Sequence, residues 1–203
     1  MIDTVTLIAF VPAALALNLT PGADMMFCAA QGLKGGARAG WLASAGVAVG
    51  GMTHGLLAGL GLAALIAAHP ALFEIIRWVG VAYLLRLAWG ALRQTGAAGP
   101  QAQARAAHPF RAALLVNLSN PKVILFNLAF VPQFTDPAQP ILPQFLTFAA
   151  ILCTGGLLVN GLAGAVAGVA KGRVGGRLSR WPGRISAVVF SALAIRLILQ
   201  ERA

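Results

Sequence analysis

Long apolar runs alternate with short polar connections along almost the whole chain. Residues 39–73 contain no Asp, Glu, Lys or Arg, and neither do residues 137–170. A helix needs about 20 apolar residues to cross the hydrocarbon core of a bilayer, so each run is typical of a transmembrane helix. The pattern predicts six such helices, at residues 2–33, 39–67, 72–92, 111–134, 142–170 and 182–200.

The first and fourth predicted helices each contain a polar interruption with a proline. Residues 18–22 read Asn-Leu-Thr-Pro-Gly, and residues 117–122 read Asn-Leu-Ser-Asn-Pro-Lys. Proline leaves a helical carbonyl without its donor, and Asn, Ser and Thr side chains can satisfy the backbone groups that unwinding frees. Both interruptions therefore favour local unwinding of a helix at membrane depth. Two ordinary proline kinks in a helical bundle would give the same pattern.

The two interruptions lie about half a chain apart, and each opens a unit of three predicted helices. Because three is an odd number of crossings, the second unit is inverted in the membrane relative to the first. The sequence predicts a first three-helix repeat at residues 1–93 and a second at residues 111–203, joined by a cytoplasmic loop at residues 94–110. Matched interruptions in inverted repeats indicate a transporter with its binding site near the bilayer midplane.

The composition excludes a soluble protein. Of the 203 residues, 59% are apolar and only 10% are charged, whereas a soluble domain carries about 25% charged residues. A disordered chain or a coiled coil would also need more charge. The expected fold class is therefore an all-α integral membrane protein, with no separate soluble domain.

Basic residues are concentrated in alternate connections. The net charge is +10, from 15 Lys and Arg against 5 Asp and Glu. Lys and Arg occur in the connections at 34–38, 93–111 and 171–184, but not in those around His69 and Asp136. The positive-inside rule then places the basic connections in the cytoplasm and both termini outside the inner membrane. Anionic lipid, rather than nucleic acid, is the expected partner of this charge.

Titratable and polar residues at membrane depth are candidate functional groups because they are costly there. Asp24 follows the first interruption, where it can bind an ammonium group, carry a proton, or cap a helix. Lys122 follows the second, where it can attract a carboxylate, pair with Asp24, or reach the membrane surface. His54 can relay protons or join two helices as a neutral side chain. Asn127 and Asn160 can line a path or hold helices together.

Glycine recurs at every fourth position in two of the predicted helices. This spacing favours close packing of helices, and it also suits helices that slide in a transporter. The stripes are Gly51, Gly55 and Gly59 in one helix, and Gly164, Gly168, Gly172 and Gly176 in the other.

No pattern in the sequence indicates a cofactor, a metal site or conventional catalysis. It lacks a glycine-rich phosphate loop, a His and Cys cluster, and a hydrolase triad. We therefore expect transport driven by an ion gradient rather than an enzyme. Cys28 and Cys153 are the only cysteines. An intramembrane thiol-disulfide electron carrier is an alternative, although no Cys-x-x-Cys occurs.

The two interruptions contain a Thr-Pro-Gly-x-Asp motif at residues 20–24 and an Asn-Pro-Lys motif at residues 120–122. They occur in order with Gly32, Gly40 and the segments 46–54, 80–89 and 130–134. Together they resemble the LysE/RhtB family of bacterial amino-acid exporters, from about residue 9 to residue 136 and more weakly beyond. Ala23 stands where many members have Pro, and Arg86 stands where an uncharged residue is usual.

The resemblance implies a secondary-active exporter of amino acids or close derivatives in the bacterial inner membrane, driven by the proton motive force. Neutral substrates are favoured over cationic ones, because no acidic residue occurs between Asp136 and Glu201. The expected partners are the amino acid, protons and lipid, and a homo-oligomer is possible. The alternatives are a metal-ion exporter of the same superfamily and a membrane scaffold without transport.

The residues of the two motifs are the expected substrate-binding set, and Asp24 and His54 are the candidates for proton coupling. The binding set comprises Asn18, Thr20, Pro21, Gly22, Asp24, Asn117, Asn120, Pro121 and Lys122.

Overall fold

The computed structural model of the protein describes residues 2–68, residues 108–169 and five single positions at 75, 78, 82, 85 and 89. All regular structure in these residues is helical. The predicted helix at 182–200 lies outside the described residues, as do most of the helix at 72–92 and of the loop at 94–110. The α-helices are α1 (Thr4–Leu19), α2 (Ala23–Ala68), α3 (Pro109–Leu118), α4 (Pro121–Leu125) and α5 (Ile141–Val169).

Both ends of α1 are capped by nearby side chains. At its start, the Asp3 carboxylate accepts the backbone N–H of Thr6 at 2.6 Å and the Thr6 hydroxyl at 3.0 Å. These bonds stabilise the ionised carboxylate and hold the pKa of Asp3 below its usual value. At its end, Thr20 is extended, and both its N–H and its hydroxyl donate to the Ala16 carbonyl. The chain therefore leaves the helix at a defined point, where the sequence predicts an interruption.

The helix α2 reverses its direction at Gly36. In the described chain this is the only residue with a positive φ, 77°. A Cβ added at Gly164 would meet both Gly40 and the carbonyl of Cys28, which would lie about 18 Å apart in a straight helix. The chain therefore folds back into a first arm (residues 23–35) and a second arm (residues 37–68). The sequence predicts a connection at 34–38, and glycine shortens it because it adopts a positive φ without strain.

The first arm continues α1 beyond a short break, and both run parallel to α5. The Phe10 ring lies 4.7 Å from that of Phe148, the Asn18 amide donates to the Leu152 carbonyl, and Gly32 lies against Gly164. Contacts thus advance in the same direction along both elements. The predicted helix at 2–33 exists as an interrupted helix, and residues 20–22 form what we call the first break.

The second arm runs antiparallel to α5 at close range. A Cβ at Gly51 would meet the Cys153 thiol, one at Gly55 would meet Ala149, and one at Gly59 would meet Phe145. These contacts leave no room for a side chain on that face of the arm. The close packing predicted for the stripe of Gly51, Gly55 and Gly59 is therefore present in the structure, whereas Gly172 and Gly176 of the other stripe lie outside the described residues.

A second interrupted helix crosses the first in the opposite direction. It consists of α3, a break at residues 119–120, which we call the second break, and the segment Pro121–Phe134, which is inclined by 52° to α3. This segment continues α4 as a π-helical turn (Phe126–Phe130) and a 3₁₀ turn (Val131–Phe134). Lys122 contacts Leu17, and the later residues contact Phe10, so the two breaks lie at the same level.

Buried apolar side chains form two clusters, one on each side of this level. The phenylalanine cluster contains Phe10, Phe126, Phe130, Phe134, Phe145 and Phe148, with ring centroids as close as 4.6 Å. The small-residue cluster contains Phe27, Cys28, Ala43, Val47 and Ala113. Both clusters are formed where the interrupted helices pack against their neighbours.

The described helices are apolar enough for a membrane. By length and composition, residues 23–61 and α5 can each span it, and the bent pair Pro109–Leu118 and Pro121–Phe134 is a third candidate. Because of the reversal at Gly36, the first arm belongs with α1 to one crossing and the second arm to the next. The structure thus agrees with an all-α membrane protein, while the six-helix architecture extends beyond the described residues.

Candidate functional site

At the first break, a lysine from the other interrupted helix takes the place of a missing backbone donor. Pro21 has no N–H, so the carbonyl of Leu17, four residues earlier, lacks its helical partner. The Lys122 ammonium donates to this carbonyl at 3.0 Å and to the Thr20 carbonyl at 3.1 Å. The ammonium group therefore joins the two breaks and satisfies backbone oxygens that lack a helical donor.

A histidine has the corresponding position at the second break. Pro121 leaves the Asn117 carbonyl without its helical donor. This oxygen is bound by the Asn120 N–H at 2.9 Å and by Nε2 of His54, in the second arm, at 3.1 Å. Since a carbonyl only accepts hydrogen bonds, Nε2 of His54 must carry a hydrogen. Each carbonyl that proline frees is thus bound by a titratable side chain from another element.

Asp24 lies in the first turn of α2 and is bound by the amides of the second break. Its Oδ2 accepts Nδ2 of Asn117 at 3.0 Å and Nδ2 of Asn120 at 2.9 Å. Its Oδ1 is buried and has no hydrogen-bond partner, and only 6% of the residue is exposed. The carboxylate is therefore fixed through one oxygen, while the other remains available.

Asn120 connects the carboxylate to the helix that follows it. Its Oδ1 accepts the backbone N–H of Lys122 at 3.0 Å and caps α4, while its Nδ2 donates to Asp24. The hydrogen bonds of both Asp24 and Lys122 go to the opposite break rather than to each other. Two opposite charges are thereby held close together by neutral groups.

A cavity of about 30 Å³ lies between the breaks. One or two water molecules, or a group the size of an ammonium, fit such a volume. Its polar side is lined by Asn18, Thr20, Asp24, Asn117, Lys122 and Asn160. Its apolar side is lined by Leu17, Met25, Val47, Ala48, Gly51, Val123, Leu152, Cys153 and Gly156. A whole amino acid therefore requires the helices to move apart.

The residues proposed from the two motifs divide into those that line the cavity and those that shape it. Asn18, Thr20, Asp24, Asn117 and Lys122 line it. The remaining residues, Pro21, Gly22, Asn120 and Pro121, form the breaks or flank them. A Cβ at Gly22 would lie 3.3 Å from the Lys122 ammonium nitrogen, so this glycine leaves space for the lysine.

The other intramembrane polar residues have separate positions. Asn117 lines the cavity, whereas His54 does not. His54 instead contacts the backbone carbonyl of Asn117. Asn160 lines the cavity. Asn127 donates to the carbonyl of Val123, four residues earlier in its own helix, so its amide has a local structural partner. Of the two asparagines that the sequence leaves unassigned, only Asn160 belongs to the site.

Comparison with known proteins agrees with these motifs. Residues 15–201 match the family model of the LysE type translocator. The chain belongs to this family. No solved structure matches it. Over 144 residues it is 43% identical to an uncharacterised membrane protein of Pseudomonas aeruginosa, covering 66% of each chain.

Two further relatives of this LysE-type translocator have names that state an activity. A homoserine/homoserine lactone efflux protein of Salmonella typhi is 37% identical over 137 residues, which is 64% of this chain and 65% of the relative. A leucine efflux protein of Enterobacter sp. is 34% identical over 131 residues, which is 63% of this chain and 62% of the relative. The chain thus aligns with slightly less than two thirds of the length of these relatives.

The geometry of the cysteines does not support the electron-carrier alternative. Both thiols are buried and free. Cys28 lies next to Gly164, whereas Cys153 lies eleven residues earlier in the same continuous helix α5, about 16 Å away along its axis. A disulfide requires Cα atoms within about 7 Å. In residues 2–61 and 108–169, no three His, Cys, Asp or Glu residues converge as metal ligands, so no observation favours the metal-ion alternative.

Sequence reasoning did not find the apolar wall of the site or the phenylalanine cluster beside it. A signal for the cluster exists, because Phe126, Phe130 and Phe134 recur every fourth residue. A signal for the wall is the pair Gly155 and Gly156, where added Cβ atoms would lie 2.8 and 3.1 Å from the Asn18 amide. The wall residues themselves, such as Met25 and Ala48, resemble any other membrane residues.

Proposed function

We propose that this LysE-type translocator exports amino acids or close derivatives with neutral side chains across the bacterial inner membrane, in exchange for protons. The observation that carries the proposal is the buried Asp24, which lines a cavity between two helix breaks and has one carboxylate oxygen without a hydrogen-bond partner. The named relatives act on leucine, homoserine and homoserine lactone, all of which have uncharged side chains and an amino group.

One carboxylate is sufficient to couple the two fluxes. Asn117 and Asn120 hold Oδ2 of Asp24, so a single oxygen receives either a proton or a substrate ammonium. The two cations compete, and the carboxylate crosses between the two sides with one or the other bound. A proton that enters from outside and leaves to the cytoplasm then drives a substrate in the outward direction.

We base alternating access on the position of the cavity between two apolar clusters. The phenylalanine cluster and the small-residue cluster lie on opposite sides of it. With the basic connections in the cytoplasm, the phenylalanine cluster closes the path to the outside and the small-residue cluster closes the path to the cytoplasm. In our proposal, two inverted three-helix repeats rock about the breaks and open one cluster at a time.

Lys122 and His54 maintain the breaks during this cycle. The Lys122 ammonium compensates the Asp24 carboxylate and binds the carbonyls of the first break. His54 binds the carbonyl that Pro121 frees. In this scheme Asp24 carries the coupled proton, because the same carboxylate also binds the substrate ammonium and so makes the two cations compete.

Substitution of the carboxylate tests the function. We expect Asp24→Asn to reduce export of L-leucine and L-homoserine to background, because an amide neither binds a proton nor attracts an ammonium. Efflux is measured from cells loaded with the corresponding dipeptides, with protein in the membrane quantified in parallel. Asp3→Asn is the matched control, since Asp3 is exposed and Asn also caps helices. Undiminished efflux by Asp24→Asn would refute the proposal.

A further inference from the structure

Two residues that line the cavity each have a buried acceptor without a hydrogen-bond partner. Oδ1 of Asp24 and Oδ1 of Asn117 are buried and lack a hydrogen-bond partner, and both residues line the cavity. Asn117 is only 2% exposed, and its orientation is fixed because its Nδ2 donates to Asp24. Buried acceptors without partners are unfavourable, so a ligand that donates hydrogen bonds suits this cavity.

Most donors around the cavity are engaged by the protein itself. Two of the three Lys122 N–H groups donate to the carbonyls of Leu17 and Thr20, the Asn18 amide donates to Leu152, and the Thr20 hydroxyl donates to Ala16. The third N–H of Lys122 and the amide of Asn160 remain for a ligand. A substrate carboxylate bound to Lys122 would lie near the Asp24 carboxylate, which repels it. The site therefore offers few donors to a substrate carboxylate.

We propose that the translocator recognises its substrate by the primary ammonium group and does not require the carboxylate. This inference rests on the proposed function, because it takes the cavity as the transport site. An ammonium has three donors and a positive charge, so it supplies the hydrogen bond that Oδ1 of Asp24 lacks. The cavity of about 30 Å³ has room for such a group. The substrate class is therefore primary amines, including amino-acid amides, esters and lactones.

Matched ligands separate the ammonium from the carboxylate. Binding to the purified full chain in detergent is measured calorimetrically for L-leucine and L-homoserine, each with its amide and its N-acetyl derivative. We expect each amide to bind within about threefold of its parent, because the amide keeps the ammonium. We expect each N-acetyl derivative to bind at least about tenfold more weakly, since a hydrogen-bonded charge is lost.

A variant of Lys122 distinguishes recognition of the substrate ammonium from recognition of the substrate carboxylate by Lys122. In Lys122→Met, the ratio of Kd for leucine to Kd for leucinamide stays as in the wild type if the carboxylate is not bound there. A selective loss of leucine binding in this variant would overturn the inference, as would equal binding of the N-acetyl derivatives by the wild type. In either case, efflux of the parent amino acids from cells would leave the proposed export function standing. If neither parents nor amides bind, both proposals are refuted.

Discussion

Pro21 and Pro121 each free a backbone carbonyl that a side chain from a distant part of the chain then binds. Lys122 reaches the Leu17 carbonyl, and His54 reaches the Asn117 carbonyl. That a carbonyl is freed can be predicted from the sequence, because proline has no N–H wherever it occurs. The side chain that binds this carbonyl cannot be predicted from the sequence, because the pairing depends on which helix faces meet.

The role of His54 can be separated from proton transport by an isosteric donor. We expect His54→Gln to keep at least about half of wild-type export, because the Gln amide supplies the donor that the Asn117 carbonyl needs. Efflux of L-leucine from dipeptide-loaded cells measures this effect at several external pH values. The pH profile should match that of the wild type, because Asp24 is intact.

The matched comparison is His54→Leu, which removes one of the two donors to the Asn117 carbonyl and leaves the Asn120 N–H as the other. This variant should lose stability by about 0.5–1.5 kcal/mol, the net contribution of one hydrogen bond, measured as a lower Tm in detergent. Loss of export by His54→Gln at normal protein levels would instead assign the coupled proton to the histidine.

Among the elements, α5 is held closest to its neighbours. Gly164 contacts both arms of α2, and an added Cβ would lie 2.7 Å from Gly40 Cα and 2.9 Å from the Cys28 carbonyl. We expect Gly164→Ala to destabilise the protein by about 1–3 kcal/mol, because backbone on both sides must move. Thermal unfolding in detergent measures the change, and efflux assays measure its effect on export.

Gly61 provides the control for this prediction. It lies in α2 with nothing within 4 Å of an added Cβ. Gly61→Ala should therefore be neutral or stabilise the protein by about 0.5–1 kcal/mol, as alanine does in helix interiors. Equal effects of the two substitutions on Tm would show that the close packing of α5 does not limit stability.

The end of the second interrupted helix differs from the regular helix that the sequence predicts at 111–134. Residues Phe126–Phe130 form a π-helical turn, and Val131–Phe134 form a 3₁₀ turn. Pro132 removes one backbone donor in this region, and Phe126, Phe130 and Phe134 all reach the ring of Phe10. Apolar periodicity predicts a helix here but not its local winding, which the packing of the rings determines.

For the whole molecule, six crossings with the basic connections in the cytoplasm predict on which side of the membrane each connection lies. With Cys28 and Cys153 replaced by Ala, a single cysteine is introduced at Ala138 or at Gln101. We expect Ala138→Cys, in the exposed connection before α5, to react with a membrane-impermeant maleimide in intact cells. Gln101→Cys should react only after the cells are permeabilised, because its loop carries the cytoplasmic positive charge.

The cysteine-free background also serves as a control for function. It should export amino acids at the wild-type rate, because neither thiol forms a bond with the other. Labelling of both positions from the same side would require an even number of crossings between residues 101 and 138 instead of the one that is predicted, and would refute the inverted repeats.

The sequence alone determined the properties that depend on local chemistry. Apolar length sets the membrane environment, proline together with neighbouring Asn, Ser or Thr indicates the position of each break, and glycine spacing sets which helix faces pack closely. These follow from single residues and their near neighbours, so no knowledge of the fold is needed. The candidate site residues were also predicted in this way, because an acid or a base at membrane depth is costly enough to be conspicuous.

Only the tertiary structure decided which groups are partners. It places the Asp24 carboxylate on the amides of Asn117 and Asn120 and the Lys122 ammonium on the carbonyls of Leu17 and Thr20. The physical reason is that hydrogen bonds act over about 3 Å, whereas these residues are separated by about a hundred positions in the chain. Their meeting depends on the reversal at Gly36 and on the antiparallel crossing of two broken helices, and no local pattern encodes that combination.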